Sequence, residues 1–536
     1  MSALAEKTFV NGKVFTARNE QEFASAFTIA GGTITWVGNT SEVNNPEAID
    51  LRGRTVLPGF IDVHTHPALV AATGSSILCT VPVVNSIAEM IEALKTYSNF
   101  GKNDNAWIEG FGYDESKLAD HRTPTRADLD RVSTTQPIFV MRSDCHSAVC
   151  NSRALALAGI TKNTPDPPGA RFGRDENGQP NGLLQELAAV EAVSRIKAAP
   201  GYNRKVQEIA AVGSHYNARG IVAVSDMTAL RQPFDDLQIY RDAALGGFWQ
   251  QAVLYLDWAK LKGNSGVDLT DAERTGRVKF AGVKLFADGS ISGRTAWVSE
   301  PFRDSREDGL SIATDADLRS ACEWARRNKV QVSVHVMGDA ACQHVIDFFG
   351  DQKPWLGDSI PSVRLEHITL LSSEQMRQMK RARMRFGAAT QIIFLFAEYD
   401  SYWQNLTDAQ FQRAYPIKDF YREIDHLALS SDAPATTWAD PDNVFVSIKA
   451  AITRRAYNGA AIIPEQAITV SQAVLLYTAR AASVAPLEGR LGRIAQGYEA
   501  SFIVLDRDIF TLDANELDQT RVLQTWIAGE KVHEFR

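Results

Sequence analysis

Four histidines and an aspartate stand at the ends of apolar, strand-like runs, where they could bind a metal ion. The first run ends in His64-Thr65-His66, and later runs end in His335, His367 and Asp432. Imidazole and carboxylate are the ligands that zinc and related divalent ions prefer. Because alternate residues of a strand point to the same face, His64 and His66 can reach one ion together. This pattern predicts a divalent metal site, and such ions activate water for hydrolysis.

The runs that carry these residues alternate with helical patterns between residues 59 and 484. This alternation indicates parallel strands with right-handed crossovers, in which the C-terminal strand ends carry the chemistry. Nine runs are present, and the extra one, 137–141, lies in a stretch of about 70–205 that we interpret as an insertion. The fold class predicted is therefore α/β, with a (β/α)8 TIM-type barrel. Its strand runs are 59–64, 220–226, 251–257, 280–286, 330–335, 363–367, 385–390 and 426–432.

The two ends of the chain differ from this centre, because both are short-stranded and punctuated by glycine. Asn11-Gly12 between two apolar runs is a hairpin signature, and Gly31-Gly32 repeats the pattern. The last 50 residues have the same character. We therefore expect segments 1–58 and 485–536 to form one small β-sandwich-like domain beside a barrel of residues 59–484.

Composition and motifs exclude several other classes of protein. The net charge of −8 argues against a nucleic-acid-binding surface. The chain has no 18-residue apolar run, no secretory leader pattern and no CxxC pair among its five cysteines. These features predict a cytoplasmic protein with reduced thiols and no membrane segment. No GxSxG elbow, GxGxxG turn or phosphate-binding loop is present, so serine-hydrolase and nucleotide-dependent roles lack support.

Several longer motifs resemble the amidohydrolase superfamily. GFIDVHTH, the later single histidines and SSDAP carry that resemblance. WIEGFGYDESKL, DCHSAVCNSRALALAGI, GVKLFADGS and VSVHVMGD are similar to its YtcJ-like, amidohydrolase-3 branch, to which N-substituted formamide deformylases belong. The resemblance covers nearly the whole chain, including both ends. It implies a metal-dependent hydrolase that cleaves a C–N bond of a small amide or formamide, with a homodimer as the usual assembly.

The resemblance also implies a role for each ligand. His64, His66 and Asp432 would hold one ion, and His335 and His367 a second. Lys284, carboxylated by CO2, would bridge them, and Glu186 is the alternative bridge. A lysine buried beside cations has a lowered pKa and can react as a neutral amine. Zinc suits this set best, with one or two ions both open, and Asp432 would act as general base and then general acid.

Candidate substrate contacts come from the insertion and from the segment after the fourth barrel strand. Tyr113 and His146 lie in signature stretches of the insertion, and His146 could hydrogen-bond the substrate or a transition-state oxygen. Arg294 and Trp297 lie in DGSISGRTAW. Arg294 would hold a substrate carboxylate or pair with Asp288, and we favour the pair.

Two other functions remain open on the same scaffold. One is a deaminase or cyclic-amide hydrolase. The other is a regulatory or binding protein that has lost catalysis, and the complete ligand set argues against it.

Overall fold

The computed structural model describes residues 6–487 and 489–535. Its centre is a nearly closed barrel of eight parallel strands, each paired with the next along the chain. Beyond the strand ends the backbone N–H of Asp432 donates to the carbonyl of His64 at 2.8 Å, which ties the last strand to the first. The predicted barrel is confirmed, and all eight runs form its strands. The strands are β1 (Phe60–Thr65), β2 (Ile221–Ala229), β3 (Gln251–Asp257), β4 (Val278–Phe286), β5 (Gln331–Val336), β6 (Val363–His367), β7 (Phe386–Thr390) and β8 (Leu427–Leu429).

Helices cover the outside of the barrel. The crossover helix that follows β4 is Asp315–Asn328. Its N-cap is Thr314, whose side chain accepts a hydrogen bond from the N–H of Asp317. Its buried face, which includes Leu318 and Trp324, packs against the barrel. In the described part of the chain, no helix has the length and apolar character needed to cross a membrane. The main barrel helices are Tyr202–Arg219, Asp236–Leu245, Asp315–Asn328, Asp339–Phe349, Ser373–Arg381, Ile392–Ala397, Tyr399–Asn405, Ile417–Glu423, Val444–Thr453 and Val470–Leu476.

The segment between β1 and β2 builds a second sheet with its own cores. The ninth run of the sequence is one of its strands, Ile138–Arg142, which pairs in parallel with Ile108–Tyr113 and antiparallel with Ser147–Cys150. The loop after Ile138–Arg142 carries His146 towards the barrel. The other strands are Ile77–Leu78, Arg171–Arg174 and Pro180–Gln185, and the helices are Pro67–Thr73, Ile87–Lys95, Arg126–Asp130, Ser152–Ala158 and Leu187–Ser194.

The two chain ends meet in one six-stranded sheet, as predicted. Thr55–Pro58 pairs in parallel with Lys13–Phe15 and antiparallel with Phe502–Leu505, and a four-stranded sheet from the N-terminal end packs nearby. Phe9 and Phe502 pack edge to face in the shared core, with ring centroids 5.3 Å apart. The remaining strands are Phe23–Ala24, Val522–Ile527 and Glu530–Glu534 in the larger sheet, and Lys7–Val10, Ala26–Ala30, Thr33–Gly38 and Ile49–Asp50 in the smaller.

Candidate metal centre

Three of the predicted ligands converge at the C-terminal end of the barrel. The Nε2 atom of His66 lies 2.9 Å from Oδ1 of Asp432, and Nε2 of His64 lies 3.3 Å from the same oxygen. One ligand atom from each of the three residues lies within 4.8 Å of the others. Burial raises the pKa of the Asp432 carboxyl, but His64 and His66 more than offset this and hold it well below its usual range. Asp432 is therefore ionised.

The other two histidines border this cluster without joining it. The rings of His335 and His367 lie 4.3 Å apart between centroids, and the His367 ring lies 4.9 Å from that of His64. Both side chains are buried, and burial lowers the pKa of each well below its ordinary value. The two imidazoles are therefore neutral, which is the form that binds a metal ion.

Lys284 is a buried residue of barrel strand β4. Its side chain is 1% exposed, and its Nζ has no hydrogen-bond partner among the residues that the structure describes. Nζ lies 5.1 Å from the centroid of the Phe286 ring. Burial lowers the pKa of Lys284 to about 8, although Glu366 and Asp432 oppose this shift. A buried amine with a lowered pKa is suited to the carboxylation that the family resemblance implies.

Hydrogen bonds on the far side of each ring determine which nitrogen faces the site. Nδ1 of His64 lies 2.7 Å from Oε2 of Glu366, and Nδ1 of His367 lies 2.8 Å from Oε1 of Gln391. Nδ1 of His66 lies 3.0 Å from Oγ1 of Thr228. A carboxylate or amide oxygen only accepts, so Nδ1 of His64 and of His367 carries a proton, and Nε2 is the nitrogen of each ring that could bind a metal.

The fourth histidine is turned the other way. Nε2 of His335 lies 3.1 Å from the carbonyl oxygen of Gly289, so Nδ1 is the nitrogen of this ring that could bind a metal. The charged partner Glu366 and the partner Thr228 were missed by the sequence prediction. Glu366 directly precedes a predicted ligand in VRLEH, and a carboxylate inside an apolar run could have marked it. No sequence signal marks Thr228.

His146 reaches the site from the insertion. Its ring lies 4.9 Å from that of His335, and its Nδ1 lies 2.8 Å from Oε2 of the buried Glu186. Burial lowers the pKa of His146, but Glu186 more than offsets it and raises the pKa to about 9. Cys145 adopts φ +60°, the left-handed conformation that favours glycine, and Glu186 adopts φ +69°. Backbone strain is therefore found next to His146 and at its partner Glu186, and strain of this kind is often concentrated at functional sites.

The remaining predicted substrate residues lie in different surroundings. Tyr113 is buried in the core of the insertion. The favoured pairing of Arg294 with Asp288 was wrong, because Arg294 Nε donates to Oδ1 of Asn405 at 2.7 Å. Asp288 instead accepts three backbone N–H groups, from Trp297, Met337 and Gly338. Buried carboxylate oxygens need hydrogen-bond donors, and here the nearby loop backbone supplies all three donors.

Trp297 faces outwards from this loop. Its ring lies 5.7 Å from that of His344, and it lines an outer cavity of about 510 Å³ together with Ser299 and Gln343. A substrate role for Tyr113, His146, Arg294 or Trp297 stays a prediction.

A parallel barrel with a histidine–aspartate cluster at its C-terminal end is the arrangement expected of the amidohydrolase type. The model of the amidohydrolase family matches residues 47–533, so the chain belongs to that family. It is 26% identical to an N-substituted formamide deformylase of Arthrobacter pascens, over 99% of this chain and 98% of the relative. It is 28% identical to the putative amidohydrolase YtcJ of Bacillus subtilis, over 98% of each chain. An uncharacterized metal-dependent hydrolase of Pyrococcus horikoshii shares the fold, with a TM-score of 0.73 and 24% identity, over 95% of this chain and 99% of that one.

Proposed function

We propose that this protein hydrolyses a C–N bond of a small amide, formamide or related molecule by means of a bound divalent metal. The observation that carries the proposal is the convergence of His64, His66 and Asp432, with the Nε2 atoms of both histidines turned to one carboxylate oxygen. The family supports hydrolysis, and the deformylase at 26% identity supports an amide-type substrate.

The donor set fits zinc, because it combines imidazoles with a carboxylate. His64, His66 and Asp432 would hold one ion, and His335 and His367 would supply ligands for a second. Lys284, whose buried Nζ has no hydrogen-bond partner in the described part of the chain, fits the role of a carboxylated bridge. Its oxygens would supply the anionic ligand that the second pair of histidines lacks.

When bound, the metal acts as a Lewis acid that activates water and polarises the scissile carbonyl. Asp432 is ionised, so one of its Oδ atoms accepts the proton of the attacking water and later returns it to the leaving nitrogen. Glu366 and Gln391 keep the protons of His64 and His367 on Nδ1, away from the reacting atoms. The cationic His146 would hydrogen-bond the carbonyl oxygen as negative charge develops on it.

Arg294, Tyr113 and Trp297 are proposed as contacts to the rest of the substrate. Arg294 would bind a carboxylate if the substrate carries one. The division of the chain at residues 58 and 485, the homodimer and the lack of nucleic-acid binding stay predictions. The five free thiols support a cytoplasmic location.

Metal quantitation of the purified protein, combined with a panel of amides, tests the proposal. We expect bound zinc and release of an amine with formate or another carboxylic acid from at least one N-substituted formamide or simple amide. Release of ammonia from an amino-substituted ring would identify a deaminase, and ring opening a cyclic-amide hydrolase. A protein that binds no divalent metal after reconstitution would contradict the proposal.

A further inference from the structure

The carboxylate of Glu366 is completely buried directly behind the metal-facing cluster. Its Oε2 lies 2.7 Å from Nδ1 of His64 and accepts from Nη2 of Arg364 at 3.2 Å. Its Oε1 accepts from Oγ of Ser333 at 2.7 Å. Each oxygen is therefore held in place by neighbouring strands, and one of them is aimed at a predicted metal ligand.

The backbone at the end of β6 is distorted, and as a result Glu366 and its neighbour His367 both reach the histidine cluster of the candidate metal centre. Consecutive strand residues normally point to opposite faces. His367 adopts φ +74° and Ile368 φ +46°, which are rare conformations for residues with a side chain. This turn brings the His367 ring to 4.3 Å from that of His335, while Glu366 remains inside the barrel against His64. Strain of this kind persists where the surroundings enforce it, and it is concentrated at functional sites.

Glu366 differs from the other groups that orient the four histidines. Thr228, Gln391 and the carbonyl of Gly289 are neutral partners of His66, His367 and His335. Glu366 is a carboxylate, and its buried counter-ion Arg364 is itself fixed by Tyr255 and by the carbonyl of Val63. A charged acceptor makes the stronger hydrogen bond and increases the basicity of the opposite ring nitrogen.

We infer that Glu366 is a positioning residue that acts through His64, fixing its ring with Nε2 towards Asp432 and strengthening its hold on a divalent metal. The inference rests on the proposed function, since it assumes that His64 is a metal ligand. Its chemistry is a carboxylate–imidazole–metal chain, in which the carboxylate never touches the ion or the substrate. Arg364 is the counter-ion that stabilises the charge of this carboxylate and fixes its position, and it acts on Glu366 rather than on His64.

Zinc affinity of the full-length protein, stripped of metal and titrated in competition with a chelating dye, tests the inference. Glu366→Gln keeps an acceptor for His64 but removes the charge, so zinc should bind about tenfold more weakly. Glu366→Ala removes the acceptor too, and the loss should approach about a hundredfold. Ser333→Ala is the matched control. It removes a hydrogen bond from the same carboxylate, on the oxygen that does not face His64, and should stay within about threefold of wild type.

The melting temperature of each metal-free variant separates positioning from folding. Zinc binding by Glu366→Gln within threefold of wild type would overturn the inference, and so would an equal loss in Ser333→Ala. If Glu366→Ala does not fold, Glu366→Gln decides the result. If neither variant folds, Glu366 serves the barrel rather than His64, and the inference fails. A wild-type protein that binds no zinc contradicts the proposed function instead.

Discussion

The two halves of the candidate site are built from similar residues but are arranged differently. In the first half, His64 and His66 both contact one oxygen of Asp432. In the second half, His335 and His367 lie with their rings close together, yet their hydrogen bonds run outwards to Gly289 and Gln391. The first half contains an anion that attracts its histidines. In the second half Lys284 points inwards but brings no negative charge of its own.

This difference indicates what each half needs. The second half has no carboxylate among its own predicted ligands, and the nearest oxygen of the first half, Oδ2 of Asp432, lies 3.9 Å from Nδ1 of His367. Asp288 is near, with Oδ1 3.6 Å from Nε2 of His335, but three backbone N–H groups already occupy its oxygens. Carboxylation of Lys284 would supply the missing charge at the place where the amine already lies. The first half is held together by its own carboxylate, whereas the second would be completed by the proposed modification of Lys284.

The largest effect is expected from breaking the first half. His64→Ala removes a proposed metal ligand, and Asp432→Asn replaces a charged ligand by a neutral one and removes the proposed general base. We expect kcat/KM to fall by about 10³-fold or more in each variant, because proton transfer alone contributes about 10²- to 10⁴-fold. Steady-state kinetics and metal content measure the effect, and the melting temperature of the metal-free proteins is the control. Near-normal activity in both variants would rule out this half as the reaction centre.

A smaller effect, of about 10²-fold on activity, is expected from Lys284→Ala. Metal content should fall, and the ion that remains should be the one held by His64, His66 and Asp432. Short carboxylic acids should restore part of the metal and the activity, because they supply the missing anion. Lys284→Arg should not recover, since a guanidinium stays protonated and cannot form a carbamate. Full metal content in Lys284→Ala would show that Lys284 is no bridge, and Glu186 would become the candidate.

The smallest effect concerns the pairing of His146 with Glu186, which links the insertion to the second half. The pKa of His146 is raised from its ordinary value of 6.5 to about 9, so the folded state binds an extra proton between these values. Stability from this pair is fully present below about pH 6.5 and is lost as the pH rises through about 9. The loss amounts to at most about 3 kcal/mol.

Denaturant unfolding of metal-free protein at pH 6.5, 7.5 and 9 measures this dependence. Glu186→Gln should flatten the profile, because it removes the charge that raises the pKa of His146. His146→Gln is the matched control and should be equally flat. Parallel profiles for wild type and Glu186→Gln would contradict the assignment.

Much of this architecture follows from local patterns in the sequence. The eight barrel strands are continuous apolar runs separated by amphipathic helices, and their ends are marked by the polar residues themselves. For the same reason His64, His66 and Asp432 could be predicted to meet, because the ends of parallel strands share one edge.

Other features depend on contacts that no local pattern encodes. Glu366 reaches His64 across about 300 residues of sequence, through the register of the closed barrel. Arg294 bonds Asn405 rather than the nearby Asp288, because the loop backbone takes the oxygens of Asp288 first. The left-handed turn at His367 also carries no glycine signal. Such choices are made by tertiary packing, which overrides local preference.

The sheet shared by the chain ends has a consequence for synthesis of the protein. Thr55–Pro58 pairs with Lys13–Phe15 on one edge, but the partner on its other edge, Phe502–Leu505, is translated about 440 residues later. At about 5 to 20 residues per second, roughly 20 to 90 s separate the two strands on the ribosome. During that time the edge exposes unpaired N–H and C=O groups, which are a template for aggregation. The end sheet is therefore completed last, and slowing translation should prolong the interval in which the nascent chain needs protection.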